Sequence, residues 1–110
     1  MTDKATKYLY DIQYAINLIE NFLDGIDKFS TYQLDSKTQS AVERQLGIIG
    51  EAVNKYRQEE SIVNLSNARH IVNFRNRIIH SYDTIDNSIV WSILKNYLPD
   101  LKKEIEDLIN

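Results

Sequence analysis

The stretch Leu9-Tyr10-Asp11-Ile12-Gln13-Tyr14-Ala15-Ile16-Asn17-Leu18-Ile19-Glu20-Asn21-Phe22-Leu23-Asp24-Gly25-Ile26 carries a series of apolar side chains at 9, 12, 15, 16, 19, 22, 23 and 26. Steps of three and four gather these on one face of an α-helix, whereas a half-buried strand would alternate. Thr2 or Asp3 can cap the start and Gly25 can end the helix. The same period returns downstream. After a short polar stretch around Ser30-Thr31, Val42, Leu46, Ile49, Val53 and Tyr56 predict a second helix beginning near Asp35-Ser36. Its polar run Arg57-Gln58-Glu59-Glu60 reads as a solvated helix end. Ala68, Ile71, Val72, Phe74, Ile78 and Ile79 predict a third, capped by Ser66 and ending near His80 or Ser81.

Beyond the polar link Asp83-Thr84-Ile85-Asp86, Asp86 or Asn87 is placed to cap a last helical stretch through Ile89-Val90, Ile93-Leu94 and Tyr97-Leu98. Pro99 lacks an N–H and its ring collides with the preceding turn, so a kink or break is expected there. Leu101, Ile105, Leu108 and Ile109 continue the pattern. The predicted fold is all-α, an up-and-down bundle of four to five helices kinked or broken near Pro99, in one domain over residues 1–110. Gly47 and Gly50 lie inside the second helix, each costing about 1 kcal/mol against Ala. They read either as a notch for a close-packed neighbour or as glycines that tertiary contacts hold in a helix.

Composition narrows the function. Three Gly and one Pro in 110 residues are too few for the many turns of an all-β chain. With no Cys there is neither a disulfide framework nor a thiolate metal site, which suits a reducing cytoplasm. No apolar run approaches the roughly 20 residues of a membrane span. Met1-Thr2-Asp3-Lys4 lacks the basic-then-apolar start of a signal peptide. A soluble cytoplasmic protein without a membrane association is the expectation.

A net charge of −3 argues against general tracking of a nucleic acid. The charge is uneven, however. Between Glu60 and Asp83 there is no acidic residue, while Arg69, His70, Arg75, Arg77 and His80 all fall there. One cationic patch on an acidic body suits a local phosphate site.

Phosphate-loop, dinucleotide, zinc-protease and serine-hydrolase motifs are all missing. The two His stand ten apart without carboxylates at ligand spacing, so neither a resident metal nor any other cofactor is expected. What remains is Arg75, Asn76, His80 and Tyr82. Asn76 and His80, four apart, share a helix face. The imidazole near a helix C-terminus favours its charged form and titrates near neutrality, so it could move a proton. A guanidinium beside it suits charge building on phosphorus. A base removing a ribose 2′-OH proton, attack of that oxygen on the adjacent phosphate, and Arg stabilising the added charge would cleave RNA and not DNA. On spacing alone, an Arg and a His five apart read first as a surface ion-pair member and a polar helix end. His70 reads as a surface or interface residue. Trp91 and most of the Tyr read as core or interface packing.

Arg75-Asn76-x-x-x-His80-x-Tyr82 resembles the HepT-like form of the HEPN-domain Arg–His motif. Ala41-Val42-Glu43-Arg44-Gln45-Leu46-Gly47-Ile48-Ile49-Gly50-Glu51-Ala52 resembles that family's A-x-x-R-x-L-x-x-I-G-E-A stretch. Trp91-x-x-Leu94-x-x-Tyr97-Leu98-Pro99-x-Leu101 resembles its tail. The order is kept across nearly the whole chain, with Asn67-Ala68 where relatives often have an aromatic. The resemblance implies a homodimer whose Arg75 and His80, supported by Asn76, form a shared cleft that cuts RNA without a metal. It also implies a toxin silenced by a minimal, MntA-like nucleotidyltransferase antitoxin, which transfers AMP from ATP onto Tyr82. AMP beside His80 would put bulk and negative charge where RNA phosphate must sit. Whether the substrate is tRNA or mRNA stays open. The other readings are a non-catalytic helical partner of such a nucleotidyltransferase and a structural helical-bundle protein.

Overall fold

The Thr2 hydroxyl accepts the Ala5 N–H at 3.0 Å and starts the first helix, α1 (Asp3–Phe22). A computed structural model of the protein describes residues 1–80 and 85–110, without the side chains of residues 78–80. In α1 the buried positions Ala5, Leu9, Ile12, Ala15, Ile16 and Ile19 follow the expected stripe. The helix closes at Leu23, two residues ahead of Gly25, which takes the left-handed turn at φ +79° that a side chain would strain.

The polar stretch around Ser30-Thr31 is not a plain connection. It forms a single turn, α2 (Phe29–Gln33), that buries Tyr32. Five residues cannot hold a helix by themselves. Contacts from outside hold this one: Tyr32 and Phe29 pack on Trp91 with ring centroids 5.3 and 6.2 Å away, and the Gln39 amide donates to the Tyr32 and Gln33 carbonyls at 2.9 and 3.0 Å. Burial, with Glu43 and Asp35 nearby, holds the Tyr32 phenol well above its ordinary pKa, so it stays neutral.

Asp35 starts α3 (Ser36–Arg57) as expected, accepting the Thr38 N–H at 3.0 Å and its hydroxyl at 2.6 Å. These two donors hold the Asp35 carboxyl below its usual pKa. The Thr2 hydroxyl donates to Glu59 at 3.0 Å, tying the start of α1 to the end of α3, so the two helices run antiparallel.

Ser66 does not cap the third long helix. That helix, α4, spans Arg69–His80, and the Ala68 carbonyl accepts the Val72 N–H at 3.0 Å. Ser66 instead gives its N–H (2.9 Å) and hydroxyl (2.8 Å) to Glu104, and the Asn67 N–H joins them at 3.1 Å. Upstream, the buried Tyr56 phenol donates to the Val63 carbonyl at 2.6 Å and accepts its N–H at 3.2 Å. Two side chains from long helices thus hold the α3–α4 connection in place of local turn chemistry.

The last stretch begins at Asp86, which accepts the Ser88 N–H at 2.9 Å and opens α5 (Asn87–Ser92). A π-helical turn over Ile93–Tyr97 leads directly into α6 (Leu98–Ile109). Pro99 sits in the first turn of α6, where its missing N–H costs nothing, and the Leu98 N–H reaches five residues back to the Ile93 carbonyl. The irregularity expected at Pro99 is therefore one widened turn just before it, and the chain does not break. Lys102 pairs with Glu20 at 2.9 Å, fixing α6 against α1.

The buried residues of α1, α3, α4 and the last stretch share one apolar core. Each buried Leu or Ile in it contributes about 1.5–3 kcal/mol over an exposed one. The result is the all-α up-and-down bundle read from the periodicity. No helix among the described residues is long and apolar enough to cross a membrane. Glu104→Ala should lower the free energy of unfolding by about 1–2 kcal/mol, because three donors lose a charged acceptor. Glu104→Gln should lose less. Urea denaturation of the two variants checks this.

Candidate functional site

Arg75 lies on the side of α4 that meets α3, between the buried positions Ile71, Val72 and Phe74, and is half-buried. A glycine on α3 creates its place. A Cβ built on Gly50 would stand 2.6 Å from the Arg75 Cβ and 3.0 Å from its Cγ, closer than carbon atoms pack. The same Cβ would lie 3.4 Å from the Ile71 carbonyl oxygen, an ordinary contact, so it is the Arg75 side chain that occupies the space. Of the two readings open for the glycine pair, Gly50 is the notch, and what fills it is the stem of Arg75.

With its stem confined, the guanidinium extends to the helix surface, where Nη1 donates to the Asn76 Oδ1 at 3.3 Å. Asn76 is exposed, as are Arg69, Asn73 and Arg77 along the outer side of α4. His80 is the last residue of α4, and its side chain lies outside the described residues. Tyr82 lies outside them altogether. The structure places Arg75 and Asn76 together but carries no geometry for their relation to His80 and Tyr82.

The nearest described carboxylate by sequence on the far side is Asp86, which is occupied by Ser88: the hydroxyl donates at 2.6 Å and the N–H at 2.9 Å. Those bonds, and after them the Arg77 charge, hold the Asp86 carboxyl below its ordinary pKa. Among the described residues no three of His, Asp and Glu converge as metal ligands would.

Two residues that sequence reasoning left aside also belong to this region. His70 is half-buried and stacks on Tyr97 of the π-helical turn, with centroids 3.7 Å apart and planes 17° from parallel. Nothing in the spacing of His70 revealed this, because its partner lies on another helix. Pro99, which widens the turn carrying Tyr97, was the one available signal.

A family model described as ribonuclease HepT-like matches residues 12–108. The chain belongs to the HepT-like family. A Thermococcus cleftensis protein named "Probable ribonuclease HepT" is 37% identical to this HepT-like chain over 102 residues, covering 92% of each. Two Methanocaldococcus jannaschii proteins, both named as candidate RNases, are 38% identical over 115 residues (93% of this chain, 84% of theirs) and 35% identical over 101 residues (90% and 91%). No solved structure matches this HepT-like chain.

Membership accounts for the order of motifs along the chain, and the Gly50–Arg75 contact gives two of them a physical connection. In this HepT-like chain Gly50→Ala should destabilise by about 1–3 kcal/mol, the usual cost of overpacking. Because the new methyl meets Arg75 directly, any activity that depends on Arg75 should fall further than the loss of folded protein explains. Thermal denaturation beside an activity assay on the folded fraction separates the two effects.

Proposed function

We propose that this protein is a metal-independent endoribonuclease, the toxin of a toxin–antitoxin pair, with Arg75 and His80 as its catalytic residues and Asn76 in support. The observation that carries the reading is the seating of Arg75: a cation confined by Gly50, held by Asn76, in a segment without acidic residues, in a chain whose relatives bear ribonuclease names. A guanidinium held in advance stabilises the charge that develops on a phosphate without having to reorganise during the reaction.

The step is internal transesterification. His80 takes the proton of a ribose 2′-OH, and the freed oxygen attacks the adjacent phosphorus. The P–O bond to the next nucleotide's 5′-oxygen breaks, and that oxygen takes a proton. The products are a cyclic phosphate and a 5′-hydroxyl end. Arg75 balances the extra negative charge at the crest. DNA has no 2′-OH and is not a substrate.

Positions five apart on a helix stand about 140° apart around its axis. Joining Arg75 and His80 on one phosphate is therefore easier across two copies than within one, and the site is completed in a homodimer. Two cationic segments then adjoin, which offsets the acidic body each brings. The partner that silences the site is a minimal nucleotidyltransferase, which moves AMP from ATP onto the Tyr82 hydroxyl and releases pyrophosphate. The added phosphate places negative charge and bulk beside the cleft.

Arg75→Ala and His80→Ala should each slow RNA cleavage by about a hundredfold or more, the usual contribution of a positioned acid–base group. Undiminished cleavage in both would sink the nuclease reading. Intact mass after incubation with a minimal, MntA-like nucleotidyltransferase and ATP should show added AMP in the wild type and none in Tyr82→Phe. AMP transfer without any RNA cleavage would mark the protein as a non-catalytic partner.

A further inference from the structure

On the flank of α4 away from the Gly50 contact, a cleft of about 300 Å³ opens between α4, α5 and the π-helical turn. Its wall is the His70–Tyr97 stack, its floor includes Phe74, and Asn73, Arg77 and Ser92 stand at its sides. The volume is at the small end of ligand sites, and the mixture is the one such sites use: apolar and aromatic surface with a few polar groups at defined places. Asn73 and Arg77 are exposed, and His70 and Tyr97 are each half-buried.

The chemistry of this lining fits one nucleotide of a single strand. Unpaired bases are held by stacking on aromatic rings, by amide contacts to their edges, and by a cation on the adjoining phosphate. The cleft has one of each: the ring stack, the Asn73 amide and the Arg77 guanidinium. The π-helical turn has a packing cause in Pro99, and one of its consequences is a tyrosine set against a histidine of the neighbouring helix. Arg75 and Arg77 leave α4 about 160° apart, one on each flank, separated by the 10–12 Å or so of a helix with its side chains. A short single strand crossing α4 spans that distance.

We propose that this cleft is an RNA subsite that takes one unpaired nucleotide flanking the scissile phosphate, with the base against His70 and Tyr97, its edge at Asn73 and its phosphate at Arg77. The inference rests on the RNA-cleaving reading above for the identity of the strand, and it adds residues that bind without taking part in bond cleavage. Asp86, whose carboxyl feels the Arg77 charge, is engaged by Ser88.

The test is fluorescence anisotropy on the full chain with a short labelled single strand whose riboses are 2′-O-methylated, so that 2′-OH attack is blocked. Arg77→Gln and Tyr97→Leu should each weaken binding about tenfold, within the range for losing one stacked base, while Tyr97→Phe should bind as the wild type does. An abasic site at one position of the strand should weaken wild-type binding by a similar factor and cost Tyr97→Leu nothing more. Arg77 is exposed, so Arg77→Gln keeps the test valid if Tyr97→Leu fails to fold. Wild-type affinity in both variants, or full additivity of the abasic and Tyr97→Leu losses, overturns the subsite. If these binding losses appear while Arg75→Ala and His80→Ala cut RNA normally, the catalytic assignment falls and the subsite stands. The opposite pattern removes the subsite alone.

Discussion

The arrangement depends on one close approach, the stem of Arg75 lying in the space left by the missing side chain of Gly50. An arginine at a helix–helix contact ordinarily costs more than a leucine, because its charged head must stay in water. Here the carbon stem fills the notch and the head leaves at the surface. α3 gives up some helix propensity at Gly50, and in return α4 approaches closely enough for the guanidinium to have few places to go. Packing and electrostatics are thereby joined in a single contact.

The surrounding structure keeps α4 at that distance. Its N-terminal approach is held from afar: Glu104 takes three donors from Ser66 and Asn67, and Tyr56 exchanges two hydrogen bonds with Val63. The opposite flank rests on the last helical stretch through the His70–Tyr97 stack. A connection built from local turn residues could shift without disturbing the bundle. One anchored to α3 and α6 moves only if they do. That rigidity suits the proposed catalytic face, whose groups would have to be in position before a phosphate arrives.

Charge follows the same division. Glu20, Glu51 and Asp11 are engaged by Lys102, Lys55 and Lys7 on the body. Such exposed pairs add little to stability. Their effect is on the field: negative charge is spread and partly balanced over the body, while α4 carries cations with no acidic residue of its own.

Much of the fold could be read along the chain because long amphipathic helices declare themselves within a few turns. The stripe from Leu9 to Ile26, the Asp35 and Asp86 caps and the irregularity before Pro99 all depend on neighbours within five residues. Ser66 and α2 misled for a common reason. A serine before an apolar run can cap a helix, but this one is claimed by Glu104, 38 positions on. Ser30-Thr31 is polar, yet Tyr32 draws the segment into a helical turn against Trp91, far along the chain. At the site, the order of Arg75, Asn76, His80 and Tyr82 was visible as a motif, and the notch at Gly50 as one of two possibilities. That Gly50 receives Arg75, and that His70 faces Tyr97, required the helices to be packed. Periodicity states which side of a helix is apolar. Only tertiary structure decides which residue of another helix meets it, because that contact depends on distances between segments that no local spacing encodes.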